Sequence, residues 1–314
     1  MKKRVLITGV NGQDGLFLAE RLVRDGHQLF GIDVQKSGPT LSGLEYVQGS
    51  IADAGFLTDL ILRTEPDEIY NLASVSQVST SFKLPEETFA VNLLPVVRML
   101  ELIRDRFKTT KLLQATSSEI FGDGAGRPFN EDSVTNPLSP YAVSKEAAYH
   151  LVKLYRKAYN IFVVTAILFN HTSHLHSSGF VVAKIIKELV EVKLGKRQKI
   201  KLGNLDVYRD WGNAEDYVKA MVQIMGHSRP ADFVVGSGKK LSLREITDHV
   251  LDKLGLKFDE VVEIDRELFR LNDPKVIWSD PSKIMRELNW RSEKPFEAVL
   301  DRMIEIAMGR QNEK

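Results

Sequence analysis

The sequence predicts an α/β fold class, a doubly wound parallel sheet with a smaller mixed part towards the C-terminus. Three observations predict it. Short apolar runs alternate with stretches of helical periodicity through the first 170 residues. These runs are nearly all apolar, as strands covered on both faces must be. After Asn170 the alternation loosens into a polar loop and shorter pieces.

The alternation begins with a strand, a glycine-rich turn and a helix, and it then repeats with strands and helices of similar length. The predicted strands are 5–8, 28–33, 45–49, 67–73, 111–117, 161–169 and 199–202. The predicted helices are 16–23, 54–66, 89–107, 142–159 and 180–194. The segment 171–179 is predicted to be a loop.

Composition excludes several classes of function. The chain contains no cysteine, which excludes disulfides, thiol catalysis and thiolate-held metals. Its 43 basic and 42 acidic residues nearly balance, and the basic cluster 193–201 lacks the interleaved aromatics of a nucleic-acid surface. No apolar run is long enough to span a bilayer, and the first residues lead into a strand without a leader-like stretch. We therefore expect a cytoplasmic protein that binds neither nucleic acid nor membrane.

The first turn, 8-TGVNGQDG-15, carries glycines at three positions between a strand and a helix. Glycine lets the backbone approach a pyrophosphate, whose charge then lies at the helix N-terminus. Asp33 ends the second strand, where a carboxylate accepts hydrogen bonds from ribose hydroxyls and repels a 2′-phosphate. This favours NAD over NADP. The expected cofactor residues in this part of the chain are Gly9, Asn11, Gly12, Gln13, Asp14, Gly15, Asp33 and Leu72.

A second polar cluster follows the strand 111–117, as 116-TSSEIFG-122, and 139-SPYAVSKEAAYHL-151 opens the next helix. Tyr141 and Lys145 are four residues apart and share a helix face, so both can reach one ligand. A free tyrosine, with a pKa of about 10, is a poor base at neutral pH. A neighbouring ammonium and an oxidised nicotinamide would favour its phenolate form.

Together these motifs resemble the extended short-chain dehydrogenase/reductase superfamily that acts on nucleotide sugars. Within it, 116-TSSEIFG-122, 169-FNH-171 and above all 202-LGNLDVYRDWGNAEDYVKAM-221 resemble GDP-mannose 4,6-dehydratases and GDP-4-keto-6-deoxymannose reductases. The resemblance covers nearly the whole chain. It implies a Rossmann-like NAD-binding domain at 1–170, to which 204–237 returns. It also implies a nucleotide-sugar-binding domain formed by 171–203 and 238–314.

The resemblance implies four catalytic residues. Ser117 would hydrogen-bond the sugar 4-hydroxyl, Tyr141 would be the base, and Lys145 would hold the nicotinamide ribose and tune the tyrosine. Glu119 would remove the C5 proton after hydride has left C4 for NAD. Water would then leave C6 and hydride would return there, so the cofactor is regenerated and the enzyme is a lyase.

Substrate-side residues are also implied by the resemblance. Arginine suits phosphate oxygens because its guanidinium can bind them through two parallel hydrogen bonds. The expected substrate-binding residues are Ser118, Asn170, Lys184, Gly203, Asn204, Arg209 and Arg270. The three histidines of 171-HTSHLHSS-178 lack carboxylates at ligand spacing, so no metal is expected. The three tryptophans are expected to pack rather than stack on a ligand.

Four departures from the family pattern bear on cofactor, assembly and sugar. The family commonly carries several basic residues after the second strand and binds NADP, whereas this chain has 31-GIDVQKSG-38, so the choice of NAD, with NADP as the alternative, rests on Asp33 alone. The loop after the second strand is short, which favours a homodimer, through a bundle of the helices 89–107 and 142–159, over a tetramer. The segment 174–182 lacks the paired arginines of the dehydratases. Gln77 and Ser50 replace a usual histidine and aspartate, which suggests a different sugar.

The residues leave three other functions open. A GDP-4-keto-6-deoxymannose reductase would use the same side chains with an external hydride donor. A nucleotide-sugar 4-epimerase would use the tyrosine but have no required role for Glu119. An NAD-sensing binding protein of the same fold would have no reason to keep all four catalytic residues. The 202–221 motif favours the dehydratase.

Overall fold

The computed structural model describes residues 2–124 and 126–312, and the elements are numbered in chain order. The strands are β1 Arg4–Thr8, β2 Gln28–Asp33, β3 Leu44–Gln48, β4 Glu68–Asn71, β5 Lys111–Ser117, β6 Val163–Leu168, β7 Asn170–Thr172, β8 Ile200–Leu202, β9 Tyr208–Asn213, β10 Phe233–Val235, β11 Lys240–Ser242, β12 Val262–Ile264 and β13 Val276–Ile277.

Helices connect most of these strands. They are α1 Gln13–Arg24, α2 Ala54–Thr64, α3 Val78–Lys83, α4 Pro85–Asn92, α5 Leu94–Asp105, α6 Pro140–Tyr159, α7 Val181–Lys193, α8 Ala214–Gly226, α9 Leu243–Leu254, α10 Phe258–Val261, α11 Ser282–Leu288 and α12 Phe296–Asn312. Two 3-10 turns, Ser118–Phe121 and Arg266–Leu268, complete the described elements.

The main sheet has seven parallel strands in the order β10-β6-β5-β4-β1-β2-β3. The chain reverses direction across the sheet at β1, so the ends of β1 and β4 open a crevice there, where open α/β sheets bind ligands. Thr8 at the end of β1 pairs with Asn71, and Ser117 at the end of β5 pairs with Leu168. This confirms the predicted doubly wound, Rossmann-like sheet.

Helices cover both faces of this sheet. On one face α1 and α8 bury Leu18, Leu22 and Met221 against the strands, and on the other α2, α5 and α6 bury a second apolar layer that includes Met99 and Val152. Burial of such side chains contributes about 1.5–3 kcal/mol each. The near-continuous apolar strands follow from this two-sided cover.

The smaller part has its own apolar core, formed by α7, α9 and α12 with the short strands beside them. A second, mixed sheet runs β11-β9-β13, and β7 also pairs with β9. Buried Asp210 on β9 fastens this sheet to the end of β10, because its carboxylate accepts hydrogen bonds from the backbone N–H of Ser237 at 2.8 Å and Gly238 at 2.9 Å. It also accepts the N–H of Ser279 at 3.2 Å.

The predicted helix 89–107 is two helices. α4 ends at Asn92 and α5 starts at Leu94, because Pro95 lies in the first turn of α5 and has no N–H to continue the ladder. The predicted bounds of β2 and β5 are confirmed, and the other predicted elements through 202 differ at their ends by a few residues. Within the described residues, no helix is both long enough and apolar enough to cross a membrane.

Candidate active site

A cavity of 320 Å³ opens at the carboxyl ends of β1, β4, β5 and β6. The turn before α1, the loop after β4, the Ser-Ser-Glu segment, the start of α6 and β7 all contribute to its walls. It brings together most of the residues that the sequence predicts to be functional. These are Gly9, Gly12, Gln13, Asp14, Gly15, Leu72, Ser117, Ser118, Glu119, Tyr141, Lys145, Asn170 and Arg270.

The glycine turn is packed too closely for side chains. Gly9 has a φ of +72°, and its N–H donates to Ile32 O at 2.8 Å. A Cβ on Gly15 would lie 2.3 Å from Gly9 O. Gly12 caps α1 without a side-chain hydrogen bond, which leaves N–H groups of the first turn directed at the cavity. These features fit the diphosphate of a dinucleotide.

Asp33 lies at the end of β2, beside this turn. Its carboxylate accepts the N–H of Asn11 at 3.2 Å and that of Gln35 at 3.3 Å. The Tyr46 hydroxyl donates to Asp33 O at 3.3 Å, and Asn11 Nδ2 donates to Ser37 O at 3.0 Å. Burial and the Asp33 charge raise the pKa of Tyr46. A carboxylate is thus held where an adenosine ribose would lie.

The four predicted catalytic residues meet at one wall of the cavity. Ser117 ends β5, and its Oγ accepts the N–H of Glu119 at 3.2 Å. Ser139 caps α6 by accepting the N–H of Ala142 at 3.1 Å, which directs the first turn of this helix to the cavity. Ser117 and Tyr141 line the same wall of the cavity, and the Ser117 hydroxyl is near enough to lower the pKa of Tyr141.

Lys145 lies on the same helix face as Tyr141. Its Nζ donates to Ala115 O at 3.1 Å and lies 5.8 Å from the centre of the Tyr141 ring. Burial lowers the pKa of Lys145 to about 8. Burial raises the pKa of Tyr141 to about 12, although the Ser117 hydroxyl lowers it, and the Glu119 charge raises it further. The expected lowering depends on the charge of an oxidised nicotinamide as well as on Lys145, and it stays a prediction.

A buried polar network behind Tyr141 was not predicted. Asn92 Nδ2 donates to Ser144 Oγ at 3.0 Å, and Ser144 Oγ donates to Tyr141 O at 2.7 Å. Asn92 Oδ1 accepts from Ser74 Oγ at 3.0 Å and from Val75 N–H at 2.9 Å. The network fixes the loop after β4 relative to the tyrosine. No local pattern marks Asn92, since its partners are distant in sequence.

The substrate-side predictions have different outcomes. Asn170 and Arg270 line both the main cavity and a second cavity of 100 Å³, where Gly203, Asn204 and Arg209 also lie. Arg209 is only 4% exposed. Its guanidinium donates to Asp273 at 2.7 Å and to Pro274 O at 2.8 Å, so a ligand phosphate would have to share it or displace these partners.

Lys184 is not brought to either cavity, because its Nζ donates to Lys201 O on β8 at 3.0 Å. Ser118 reaches the main cavity but is only 2% exposed. Trp211 lines both cavities while its ring stacks on Phe296 at 5.7 Å, so it packs as predicted and also forms cavity wall.

Other lining residues were missed by the sequence reasoning, among them Ser76 and Ser79 after β4 and His176 after β7. Their position at the carboxyl end of a strand was the available signal. His176 Nδ1 lies 3.0 Å from Thr172 Oγ1, and burial lowers the pKa of His176 to about 4. Within the described residues, no group of three or more His, Cys, Asp or Glu side chains could hold a metal ion.

A parallel sheet, a glycine turn before α1 and a Ser-Tyr-Lys set at the carboxyl edge define an extended short-chain dehydrogenase/reductase. A crystal structure of dTDP-glucose 4,6-dehydratase from Bacillus anthracis in complex with NAD has the same fold. Its TM-score is 0.86 at 20% identity, and the match covers 99% of this chain and 97% of that one.

The comparison with protein families is more specific. The GDP-mannose 4,6 dehydratase family model matches residues 6–303. The GDP-mannose 4,6-dehydratase of Vibrio cholerae is 33% identical, over 97% of this chain and 93% of that protein. GDP-mannose 4,6 dehydratase 2 of Arabidopsis thaliana is 36% identical, over 97% of this chain and 86% of that protein. The chain therefore belongs to the GDP-mannose 4,6-dehydratase family.

Proposed function

We propose that this protein is a hydro-lyase that removes water from GDP-mannose, or a close GDP-sugar, by 4,6-dehydration. The observation that carries the proposal is the juxtaposition of a carboxylate, Glu119, with Ser117 and Tyr141 at one cavity wall, where both Ser117 and Glu119 affect the pKa of the tyrosine. A tyrosine and a hydroxyl suffice for hydride transfer, whereas elimination also needs a base for a carbon-bound proton. Membership of the family supports the same conclusion.

Tyr141 acts first, as the base for the sugar 4-hydroxyl, and Ser117 holds that hydroxyl. Burial keeps the Tyr141 proton in place in the chain alone, since its pKa there is about 12. Tyr141 would lose this proton more readily next to the positive charge of an oxidised nicotinamide. Lys145 holds the cofactor ribose and adds positive charge. The cofactor, when bound, accepts the hydride from C4 and supplies it again at C6.

Glu119 acts next. A ketone at C4 acidifies the C5–H bond, and the Glu119 carboxylate accepts that proton. The bond from C6 to its hydroxyl then breaks, and the proton on Glu119 is available to the departing hydroxyl, so that water leaves. Ser118 is too enclosed to replace an acid at this step. No net oxidation results, and the cofactor serves many turnovers.

NAD is the proposed cofactor, with NADP as the alternative. Gly9, Gly12 and Gly15 at the start of α1 would hold its diphosphate, and Leu72 and Tyr141 would line the site of its nicotinamide. The Asp33 carboxylate, with Asn11 beside it, accepts hydrogen bonds from the adenosine ribose and opposes a 2′-phosphate.

The GDP part of the substrate occupies the second cavity. Asn170 and Arg270 lie at the junction of the two cavities, where they can hold the diphosphate. Gly203 and Asn204 line the part of the cavity proposed for guanine. Arg209 contributes after exchange of its bond to Asp273 for a phosphate oxygen, since guanidinium binds both anions in the same geometry.

We also propose the domain division that the sequence predicts, with 1–170 and 204–237 binding the dinucleotide and 171–203 with 238–314 binding the nucleotide sugar. The position of β10 in the main sheet supports it. Exposed apolar side chains on α5 and α6, Leu94 at 60%, Val143 at 38% and Leu154 at 58%, support a homodimer through a four-helix bundle. The cytoplasm is the proposed location.

The test is the variant Tyr141→Phe, assayed for turnover of GDP-mannose in the presence of NAD. We expect turnover to fall by about 100-fold or more because a positioned base is lost. Dinucleotide binding should persist. Tyr159→Phe, on the same helix but 47% exposed, is the matched control and should keep full activity. Unchanged turnover in Tyr141→Phe would contradict the proposed mechanism.

A further inference from the structure

A partly buried ion pair joins the cofactor turn to the strand that carries Asn170. His171 Nε2 lies 2.9 Å from Asp14 Oδ2, and His171 Nδ1 lies 2.7 Å from Phe169 O. The side chains are 12% and 19% exposed. A carbonyl oxygen and a carboxylate can only accept, so both ring nitrogens of His171 donate and the ring is an imidazolium.

The position of Asp14 explains why pairing with His171 matters. It is the second residue of α1 and lines the cavity where the diphosphate of a dinucleotide would lie. An unpaired carboxylate there would repel a diphosphate across a poorly hydrated space. Its other oxygen, Oδ1, is buried and has no hydrogen-bond partner among the described residues. The charge of Asp14 is therefore offset by His171.

The surroundings hold the pair in this arrangement. Gln13 Nε2 donates to His171 O at 3.3 Å, and Ser173 Oγ donates to Gln13 Oε1 at 3.0 Å. The Tyr217 ring stacks on the His171 ring at 4.5 Å. Hydrogen bonds made by both Gln13 and Asp14 thus connect the first turn of α1 to the segment that follows Asn170.

Of the charged groups near His171, Asp14 has the largest effect on the pKa of the histidine. Burial lowers the pKa of His171, but the Asp14 charge and the hydrogen bonds to Asp14 and Phe169 outweigh it, so the net pKa is raised. His176 faces His171 and stays neutral, since burial and the His171 charge lower its pKa to about 4. Burial and the charges of Asp210, Asp14 and Asp216 raise the pKa of Tyr217, whose ring stacks on His171.

We propose that His171 is a positioning residue for the cofactor: it neutralises Asp14, so that a dinucleotide diphosphate can lie at the N-terminus of α1. The proposal rests on the proposed dinucleotide binding but not on the identity of the sugar. It predicts an asymmetry between the two members of the pair. Loss of His171 leaves a bare carboxylate, whereas loss of Asp14 leaves a histidine that can release its proton.

The experiment is calorimetric titration of the purified full chain, freed of any bound cofactor, with NAD at pH 7. Four variants are compared with the wild type: His171→Gln, Asp14→Asn, the double variant, and His249→Gln as control. His249 makes a similar contact, 2.7 Å to Asp301, outside the cavity lining.

We expect Kd to rise by about tenfold or more in His171→Gln, because an uncompensated charge opposes the diphosphate. Asp14→Asn and the double variant should stay within about threefold of the wild type, since neither retains a bare carboxylate. The control should be unchanged. If His171 acts by charge compensation, the double variant should regain affinity for NAD. If its role were merely structural, the double variant should be the weakest binder of the four.

Two outcomes would overturn the inference: an unchanged Kd in His171→Gln, or a double variant that binds as weakly as His171→Gln. If His171→Gln does not fold, as judged by circular dichroism, His171→Lys replaces it. That variant keeps a cation and should retain affinity within about threefold, and a larger loss would overturn the inference. A wild type that binds no dinucleotide would instead contradict the proposed function itself.

Discussion

Gly15 lies in the first turn of α1, and an alanine at this position would test the packing of the cofactor turn. Its Cβ would lie 2.3 Å from Gly9 O and 2.7 Å from Val10 Cα. Carbon and oxygen atoms not bonded to each other need about 1 Å more than the shorter of these distances. Both obstacles are backbone atoms, so no side-chain rotation can relieve the clash.

The expected change in the free energy of unfolding of Gly15→Ala is the difference between two opposing effects. Overpacking of a well-packed site costs about 1–3 kcal/mol. Replacement of glycine by alanine within a helix returns about 0.5–1 kcal/mol. Gly15→Ala should therefore lower the free energy of unfolding by about 1–2 kcal/mol. Because the turn must open to admit the methyl group, Kd for NAD should rise by about tenfold or more.

The assays are urea unfolding of the free chain and calorimetric titration with NAD. Gly226→Ala is the matched control, because Gly226 ends α8, its φ is not positive, and a Cβ there would meet nothing within 4 Å. It should be as stable as the wild type or slightly more stable. If Gly15→Ala keeps the unfolding midpoint and the affinity of the wild type, the packing argument is wrong.

Three further predictions concern the eliminating carboxylate, a buried ion pair and a histidine. Glu119→Gln should abolish water loss while binding of GDP-mannose persists, as product analysis and titration would show; water loss at the wild-type rate would contradict the assigned base. Arg156→Met should lower the free energy of unfolding by about 3 kcal/mol, because it leaves Asp232 buried and unpaired, whereas a loss below about 1 kcal/mol in urea unfolding would contradict this. His176 has a pKa of about 4 in the folded chain, below its unfolded value of about 6.5. Its contribution to the free energy of unfolding is therefore complete above pH 6.5 and is lost as pH falls towards 4. His176→Gln should reduce the loss of stability over that interval, and an identical pH profile of urea unfolding would refute it.

The sequence predicted those features that depend on local pattern. The strands β2 and β5 have the predicted bounds because each is an apolar run that ends at polar site residues. The spacing of the glycines and the capped start of α6 are also local, and from them the positions of Gly9, Gly15 and Tyr141 in the cavity could be predicted.

Features that depend on distant contacts could not be predicted. Asp14 and His171 are 157 positions apart, and only the fold brings them together. Arg209 was expected to be available for a diphosphate, but the fold places Asp273 against it. Burial raises the pKa of Tyr141 in the chain alone, and no local pattern in the sequence reports that burial.

The most direct test of the proposed dehydration is mass spectrometry of purified protein incubated with GDP-mannose and a trace of NAD, without added reduced cofactor. The mechanism predicts a product lighter by one water, formed over many turnovers per cofactor molecule. An unchanged GDP-mannose pool, with consumption of NADH or NADPH when a GDP-4-keto-6-deoxy sugar is supplied instead, would contradict it and assign the chain as a reductase.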